Sequence, residues 1–462
     1  MKSSCFLIVL TALLCITGCS LHTVDNEAQP SVQVPQSFPS LGNPTRDDEM
    51  EPKEIWWLNF NRPQLSTLIQ QAFTANQDIV AAVSRIQQAR SLQIQSRSDL
   101  FPKIDMKGNV ADGTQGSDAS ASISEVGLAL NWEIDLFDRI SSTAMANEYQ
   151  ALAREEDLQA LRLSLSTEVA NAYFGAVAAQ KGLQLLQSQV ETDQALLELL
   201  ELRQKSGVGT NVEVLQQKGQ VYESKGLIPP IESILRVFEN RLDVLLGQPP
   251  DGLNRIDPKE TLAFASTLPS VGVPTDLLLN RHDLQAAHAE LVAADADIAA
   301  AIADRLPQIT LTGSYLYSED QAYSGIIGTI IGGFVQPILD WGKRKAEVER
   351  NRALYTERLA TFTQLFLEAV EQVENALYQE IKQREYLARL GERLAILQDT
   401  VKETEARYTQ GVDDYLPVLY ALQDLRSVER SLVSERLNLI AYRISLYQAI
   451  GGSTSSVRRQ EG

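Results

Sequence analysis

Among the side chains able to take part in a reaction, Cys19 has the most telling neighbours. Lys2 supplies a positive end, Phe6 to Leu14 a short apolar stretch, and Ile16-Thr17-Gly18 leads into the cysteine. This order reads as a secretion signal whose end resembles a bacterial lipobox. Its chemistry would be removal of residues 1–18 and attachment of lipid, palmitate included, to the new first residue. Ser20, not aspartate, follows Cys19, which in such lipoproteins resembles sorting to the outer membrane. The apolar stretch is too short for a spanning helix, which needs about 20 residues.

Other chemistry finds little support. Cys5 and Cys15 fall inside the removed segment, so no disulfide, CxxC metal site or thiol nucleophile is expected in the mature chain. The three histidines are His22, His282 and His288, and the last two are poorly spaced for one helical face. No GxGxxG, Walker loop, GxSxG or HExxH occurs. Carboxylates recur at helical spacing, the pattern of a solvated helix face. The expectation is therefore no enzyme, no cofactor and no metal. With 60 acidic against 41 basic residues and a formal net charge of −19, nucleic acid is not an expected partner.

The elements that hold these residues are present twice. Asp78, Pro102, Gly108 and Asp135 recur at one constant offset as Asp283, Pro307, Gly313 and Asp340. After a one-residue deletion, Asn171, Arg203, Gly207, Val208 and Gly247 pair with Asn375, Arg407, Gly411, Val412 and Gly451. So long a period excludes solenoids, whose units run to roughly 20–50 residues. The chain divides into a signal (1–18), a lipid-anchored arm (19–64), a first copy (65–247), a proline-rich connecting belt (248–274), a second copy (275–451) and a tail (452–462).

Each copy opens with helical pattern, in the first from about Leu65 to Ser98, and stops before a proline, Pro102 or Pro307. The period then changes from 3.6 to 2. Ile104, Met106, Gly108 and Val110 share one face against Lys103, Asp105, Lys107 and Asn109. Ile309, Leu311, Gly313, Tyr315 and Tyr317 alternate in the same way with Gln308, Thr310, Thr312 and Ser314. Four strands result, at about 103–113, 120–132, 308–317 and 325–336. Their length suits a tilted crossing of a bilayer, which takes about 9–11 residues. Gly325 to Phe334 carries the Gly328 and Gly332 spacing of helix dimers, but is only about half a helical span and reads as a lipid-facing strand.

Proline-free helical stretches follow, from about Arg139 to Lys205 and from Gly342 to Gln410. Each would extend roughly 100 Å at 1.5 Å per residue. Leu387, Leu390, Leu394, Leu397 and Val401 form a heptad seam, and Leu425, Val428, Leu432, Leu439, Tyr442 and Leu446 continue it on a returning helix, with Glu435 as the polar exception. Turns are expected at Gly207-Val208-Gly209 and at Gly411, and a break at Pro229-Pro230.

A four-stranded sheet open in lipid would leave its edge amides and carbonyls unsatisfied, at several kcal/mol each, so it must close. A homotrimer would supply about 12 strands, within the roughly 8 to 26 of bacterial barrels. The fold class expected is mainly α with a transmembrane β-barrel contribution: duplicated coiled-coil helices plus four strands per chain, the trimer forming the barrel and a periplasmic helical tunnel.

Trp56-Trp57-Leu58-Asn59-Phe60, with Pro63, Leu65, Leu68, Asn76, Asp78, Ile79, Ala82 and Ala89-Arg90, resembles the opening of the outer membrane factor (TolC-like) family. The lipoprotein branch, NodT/OprM-like, is the most similar. Leu268-Pro269, Pro274, Asp276-Leu277-Leu278 and Arg281-His282-Asp283 resemble the family's junction between copies. Leu306 to Gly313 and Tyr408 to Leu416 match as well, so the resemblance spans nearly the whole mature chain. His282 stands where relatives often have proline, and Tyr420 where many have an aspartate.

The resemblance implies a passive trimeric exit duct in the bacterial outer membrane, contacting its lipid and extending into the periplasm. Its partners would be a periplasmic adaptor (membrane fusion) protein and an inner-membrane efflux transporter, and its cargo drugs or other toxic small solutes. Asp413, Asp414 and Leu416 would approach the axis as a gate, carboxylates attracting cations and leucines excluding water. The aspartates also suit the start of the returning helix. Gly207, Val208, Gly209, Gly411 and Val412 would meet the adaptor. Two alternatives stay open: the same duct used for protein secretion, and a structural periplasmic coiled-coil lipoprotein without a pore.

Overall fold

The computed structural model describes residues 22–41, 55–114, 120–263, 268–269, 271–319 and 324–454. Cys19 and the signal segment lie outside the described residues, as do most of the two strand-connecting loops. Helices α1 (Pro63–Ala75) and α2 (Gln77–Ser98) precede strands β1 (Lys103–Thr114) and β2 (Ser120–Ile134). Then come α3 (Arg139–Lys205), α4 (Asn211–Gly226) and α5 (Ile228–Leu245). The second copy holds α6 (Asp276–Asn280), α7 (His282–Ala303), β3 (Gln308–Glu319), β4 (Ser324–Val335), α8 (Lys343–Thr409) and α9 (Tyr415–Ala449). The residues form two compact units. One gathers the described part of Met1–Gln33 with Ala82–Asp157 and Asp283–Leu365, and the other Val34–Ala81, Leu158–His282 and the described part of Phe366–Gly462.

The first unit carries the sheet. Its order is β1-β2-β3-β4, antiparallel throughout, so β1 and β4 are its edges. Ile104 lies opposite Leu130 and Met106 opposite Leu128, and Leu128 in turn opposite Tyr315, which sets one apolar face. Asp105, Ala129, Ser314 and Thr329 cross the other face in one row. β4 departs from the alternation, because Ile326 and Ile327, then Ile330 and Ile331, put branched side chains on both faces. It is nonetheless a strand over its whole length, not a helix. At Gly127 a Cβ would collide with the Tyr315 carbonyl and Leu316, so glycine lets β2 and β3 approach there.

Both strand pairs hand over to a long helix by the same device. Asp135 accepts the amides of Ile140 (3.0 Å) and Ser141 (2.7 Å), while Asp340 accepts those of Gly342 (3.0 Å) and Arg344 (3.2 Å). A carboxylate there satisfies orphan amides and meets the positive end of the helix dipole. The arm preceding Ser31 also belongs to this unit, clasped by His22 Nε2 to Asp295 Oδ1 at 2.7 Å and by the Asp25 amide to Asp295 Oδ2 at 2.8 Å.

The helical run from Leu65 to Ser98 is not one helix. Asn76 is extended (φ −68°, ψ 132°) and separates α1 from α2. Its Nδ2 donates to the Leu245 carbonyl (3.1 Å) and its Oδ1 accepts the Asp78 amide (2.9 Å), so a tertiary bond and a cap replace helical continuity. Arg281 breaks the second copy likewise, its guanidinium reaching Gln372 Oε1 (2.8 Å) and the Ala449 carbonyl (3.3 Å). Gly247 (φ 72°) and Gly451 (φ 71°) close each copy against the Ala75 and Asn280 carbonyls, so closely that any Cβ would collide.

Trp56, Trp57, Phe60, Tyr173 and Phe174 are buried together, with Trp56 Nε1 donating to Ser166 Oγ at 3.1 Å. Pro229 and Pro230 sit in the first turn of α5 after a break at Leu227, so the first copy returns through two helices. The seam of the second hairpin packs Leu390, Val428 and Leu432 against Leu387, Leu394 and Leu397. Beyond Glu435 it shifts: Ile440, Arg443, Ile444 and Tyr447 are buried along with Leu446, whereas Leu439 and Tyr442 are only half-buried. The cause is polar. Glu435 accepts from Gln383 at 2.7 Å, and Arg443 turns inward to a bidentate pair with the buried Glu380.

Candidate functional site at the helix turns

Gly207 and Gly411 end α3 and α8 in the left-handed region, at φ 75° and 70°. Gly207 N donates to Gln204 O (3.0 Å) and Val208 N to Arg203 O (3.0 Å); Gly411 N and Val412 N repeat this with Tyr408 O and Arg407 O. These are two Schellman closures, built alike in the two copies. Val208 and Val412 are left exposed at the tips, and Gly209 is half-exposed between Arg203 and Glu213.

The returning helices start differently. Thr210 and Glu213 form a reciprocal capping box on α4, at 3.3 and 2.9 Å. On α9, Asp414 occupies the cap position without a side-chain capping bond, and Asp413 is held by Arg407 through Nε (2.5 Å) and Nη2 (3.2 Å). That hydrogen bond and charge keep the Asp413 carboxyl below the usual range. Leu416 is 37 % exposed and Tyr420, one turn further, 58 % exposed, while Val418, Leu419 and Leu422 enter the core with Leu200, Val214 and Tyr415. Leu416 and Tyr420 therefore share an unburied stripe, with Asp424 a further turn along.

A polar cluster that the sequence reading missed lies directly behind this turn. Tyr415 donates to Gln217 Oε1 (2.6 Å), Gln217 Nε2 reaches Asp193 Oδ1 (3.1 Å), and Ser224 Oγ donates to Asp193 Oδ2 (2.7 Å). Arg426 completes it as an ion pair with Asp193, both side chains buried. Tyr408 lies edge-on to Tyr415 at 5.6 Å and under the Arg203 guanidinium at 4.6 Å. Burial pushes both phenols above their ordinary range. Asp193 and Arg426 sit at heptad spacing among apolar residues, and only their opposite charges hint at pairing.

Among the described residues no group of three or more His, Cys, Asp or Glu is placed to hold a metal ion. None of their helices is long and apolar enough to cross a membrane.

In each copy a strand pair is followed along the chain by a long helix that turns back, α3 after β2 and α8 after β4. A family model described as outer membrane efflux protein matches residues 68–248 and 273–452, so the chain belongs to the outer membrane efflux protein family. It is 29 % identical over 422 residues to the pyoverdine export outer membrane protein OpmQ of Pseudomonas putida, covering 87 % of this chain and 88 % of that one. The cation efflux system protein CusC of Escherichia coli K12 is 27 % identical over 462 residues, with 97 % and 100 % covered. The solved outer-membrane channel OprN superposes with a TM-score of 0.86 at 25 % identity, covering 94 % of this chain and 100 % of that one. The expected function class follows from this membership: the chain is the outer membrane component of an efflux system.

Proposed function

We propose that three copies close a barrel of about 12 strands and act as a passive exit duct, anchored by lipid on Cys19 and gated at the turns after α3 and α8. The observation that carries this reading is the pair of open sheet edges, β1 and β4. Unpaired edge groups cost several kcal/mol each in hydrocarbon, and the edges of one copy can be satisfied by those of the next. The apolar face of Ile104, Met106, Val110 and Phe334 then meets lipid, and the face of Asp105, Asn109 and Thr312 lines water.

In this reading Leu416, Asp413 and Asp414 narrow the periplasmic end, and Val208 and Val412 with their glycines form the surface offered to an adaptor. Opening needs the α8–α9 turn to move against α3 and α4, and the Asp193–Arg426 pair resists it. The sequence has no Walker loop, and in this reading an inner-membrane transporter supplies the energy. The relatives export pyoverdine or cations, and others are named for solvent and toluene efflux, so one duct architecture serves unlike solutes. Cysteines scanned singly along β1 against one in β4 test the closure. Oxidation should yield a covalent trimer on a denaturing gel; dimers alone, or no product at any register, would contradict it.

A further inference from the structure

We infer that the chain following β4 forms a binding site for an anionic phospholipid headgroup, with Trp341 as its anchor and Lys343 and Lys345 as its charges. The site rests on the reading of the sheet as membrane-spanning. All four helix connections leave the sheet at one end: α2 enters β1, β2 leads to α3, α7 enters β3 and β4 leads to α8. That end faces the periplasm in the proposed duct, so its rim meets the inner leaflet.

Trp341 is 90 % exposed, and Ile338 before it 95 %, although both are large and apolar. Trp341 also holds φ 55°, a region that bulky residues rarely enter. Asp340 enforces the turn by binding the amides of Gly342 and Arg344, and Arg344 is steadied by Asp304 at 2.8 Å. The backbone therefore bears strain where the Trp341 indole is left in the open. Lys343, Lys345 and Arg305 are exposed in the same stretch of the rim.

The first copy serves as an internal control. Phe137 takes the place of Trp341 and is half-buried, and there the positive φ falls on the next residue, Asp138, at 58°. Arg139 replaces Lys343 but is spent on Glu133 at 2.8 Å, Ser141 replaces Lys345, and Leu100 replaces Arg305. The first copy also has an exposed aromatic at this rim, Phe101 at 63 %, and a lysine, Lys103, but that lysine is paired with Asp99 at 2.6 Å. An exposed indole beside two lysines occurs in the second copy. Indoles favour the headgroup level, where one side is apolar and the other wet. The lipid-facing row of β4, Ile326, Ile330 and Phe334, leads straight into this segment. A lysine near an anionic surface is worth about 1 kcal/mol, roughly fivefold in local lipid enrichment.

The full-length protein is reconstituted into nanodiscs containing phosphatidylglycerol and lipids brominated either near the carbonyl or near the chain end. Native protein and Trp341→Phe are compared by tryptophan fluorescence. The share of emission lost in the variant should be quenched by the shallow bromine more than by the deep one. Retained phosphatidylglycerol, counted by native mass spectrometry, should fall severalfold in Lys343→Gln/Lys345→Gln, with conductance unchanged. An unquenched Trp341 share in inserted protein, meaning that protein covers the patch, overturns the site alone, as does unchanged lipid retention. A native chain that fails to insert overturns the site and the channel reading together.

Discussion

Asp193 on α3 and Arg426 on α9 form an ion pair from which water is excluded. It joins the outgoing helix of one copy to the returning helix of the other, behind the turn that carries Leu416. Removing one partner of a buried pair strands the other charge and costs about 3–5 kcal/mol. Arg426→Ala should therefore loosen α9 and raise conductance, with faster amide exchange across Tyr415 to Leu422. Asp193→Asn should do so at least as strongly, since it strands the buried Arg426 guanidinium, whereas the Asp193 carboxylate left by Arg426→Ala still accepts from Ser224 and Gln217. Unchanged exchange in Arg426→Ala would remove the pair from the account.

Leu416 is the apolar part of the proposed gate, and truncating it exposes no buried polar group. Leu416→Ala is predicted to leave the melting temperature within a degree or two, as surface changes of about 0.5 kcal/mol do, yet to increase conductance. A melting point lowered by many degrees would mean that Leu416 is core instead.

The glycines divide by what surrounds them. Gly207 and Gly411 point into open space, so alanine costs only the left-handed conformation, about 1 kcal/mol. Gly247→Ala and Gly451→Ala add a collision with a carbonyl that belongs to a helix break, and should cost several times more. Thermal unfolding of the four variants checks the order, and equal losses would contradict it.

Acid should act at Asp413. Its folded pKa is depressed by the Arg407 hydrogen bond and charge, so the stabilisation is complete above the ordinary aspartate value of about 3.9 and is lost as pH falls through the folded value. The turn should loosen only below about pH 4, read as a conductance increase on acidification. Asp413→Asn should abolish the step; a step that survives there would assign it to another carboxylate.

Much of this architecture was legible because period and composition dictate it. Ile104, Met106 and Val110 announce β1 by alternation, and the proline-free run from Arg139 to Lys205 becomes α3 over the same residues. What stayed hidden depends on partners far away in sequence. Asn76 breaks a helix whose local pattern continues unbroken, because its bond goes to Leu245. Arg443 reads as a solvated arginine until Glu380 is seen to receive it inside the seam. At the turn the sequence marks Asp413 as a cap candidate, whereas its bond to Arg407 crosses the loop. Trp341 gave no warning of a positive φ, since the sequence assigns that conformation to the adjacent Gly342, which adopts it as well.

The central claim is a closed trimeric duct gated at these turns, and planar-bilayer conductance of the purified, lipidated protein, with its oligomer mass recorded, tests it most directly. Native protein should be a trimer of small conductance that rises in Leu416→Ala and in Asp413→Ala/Asp414→Ala. A monomer, or a trimer silent in every variant, would contradict the duct.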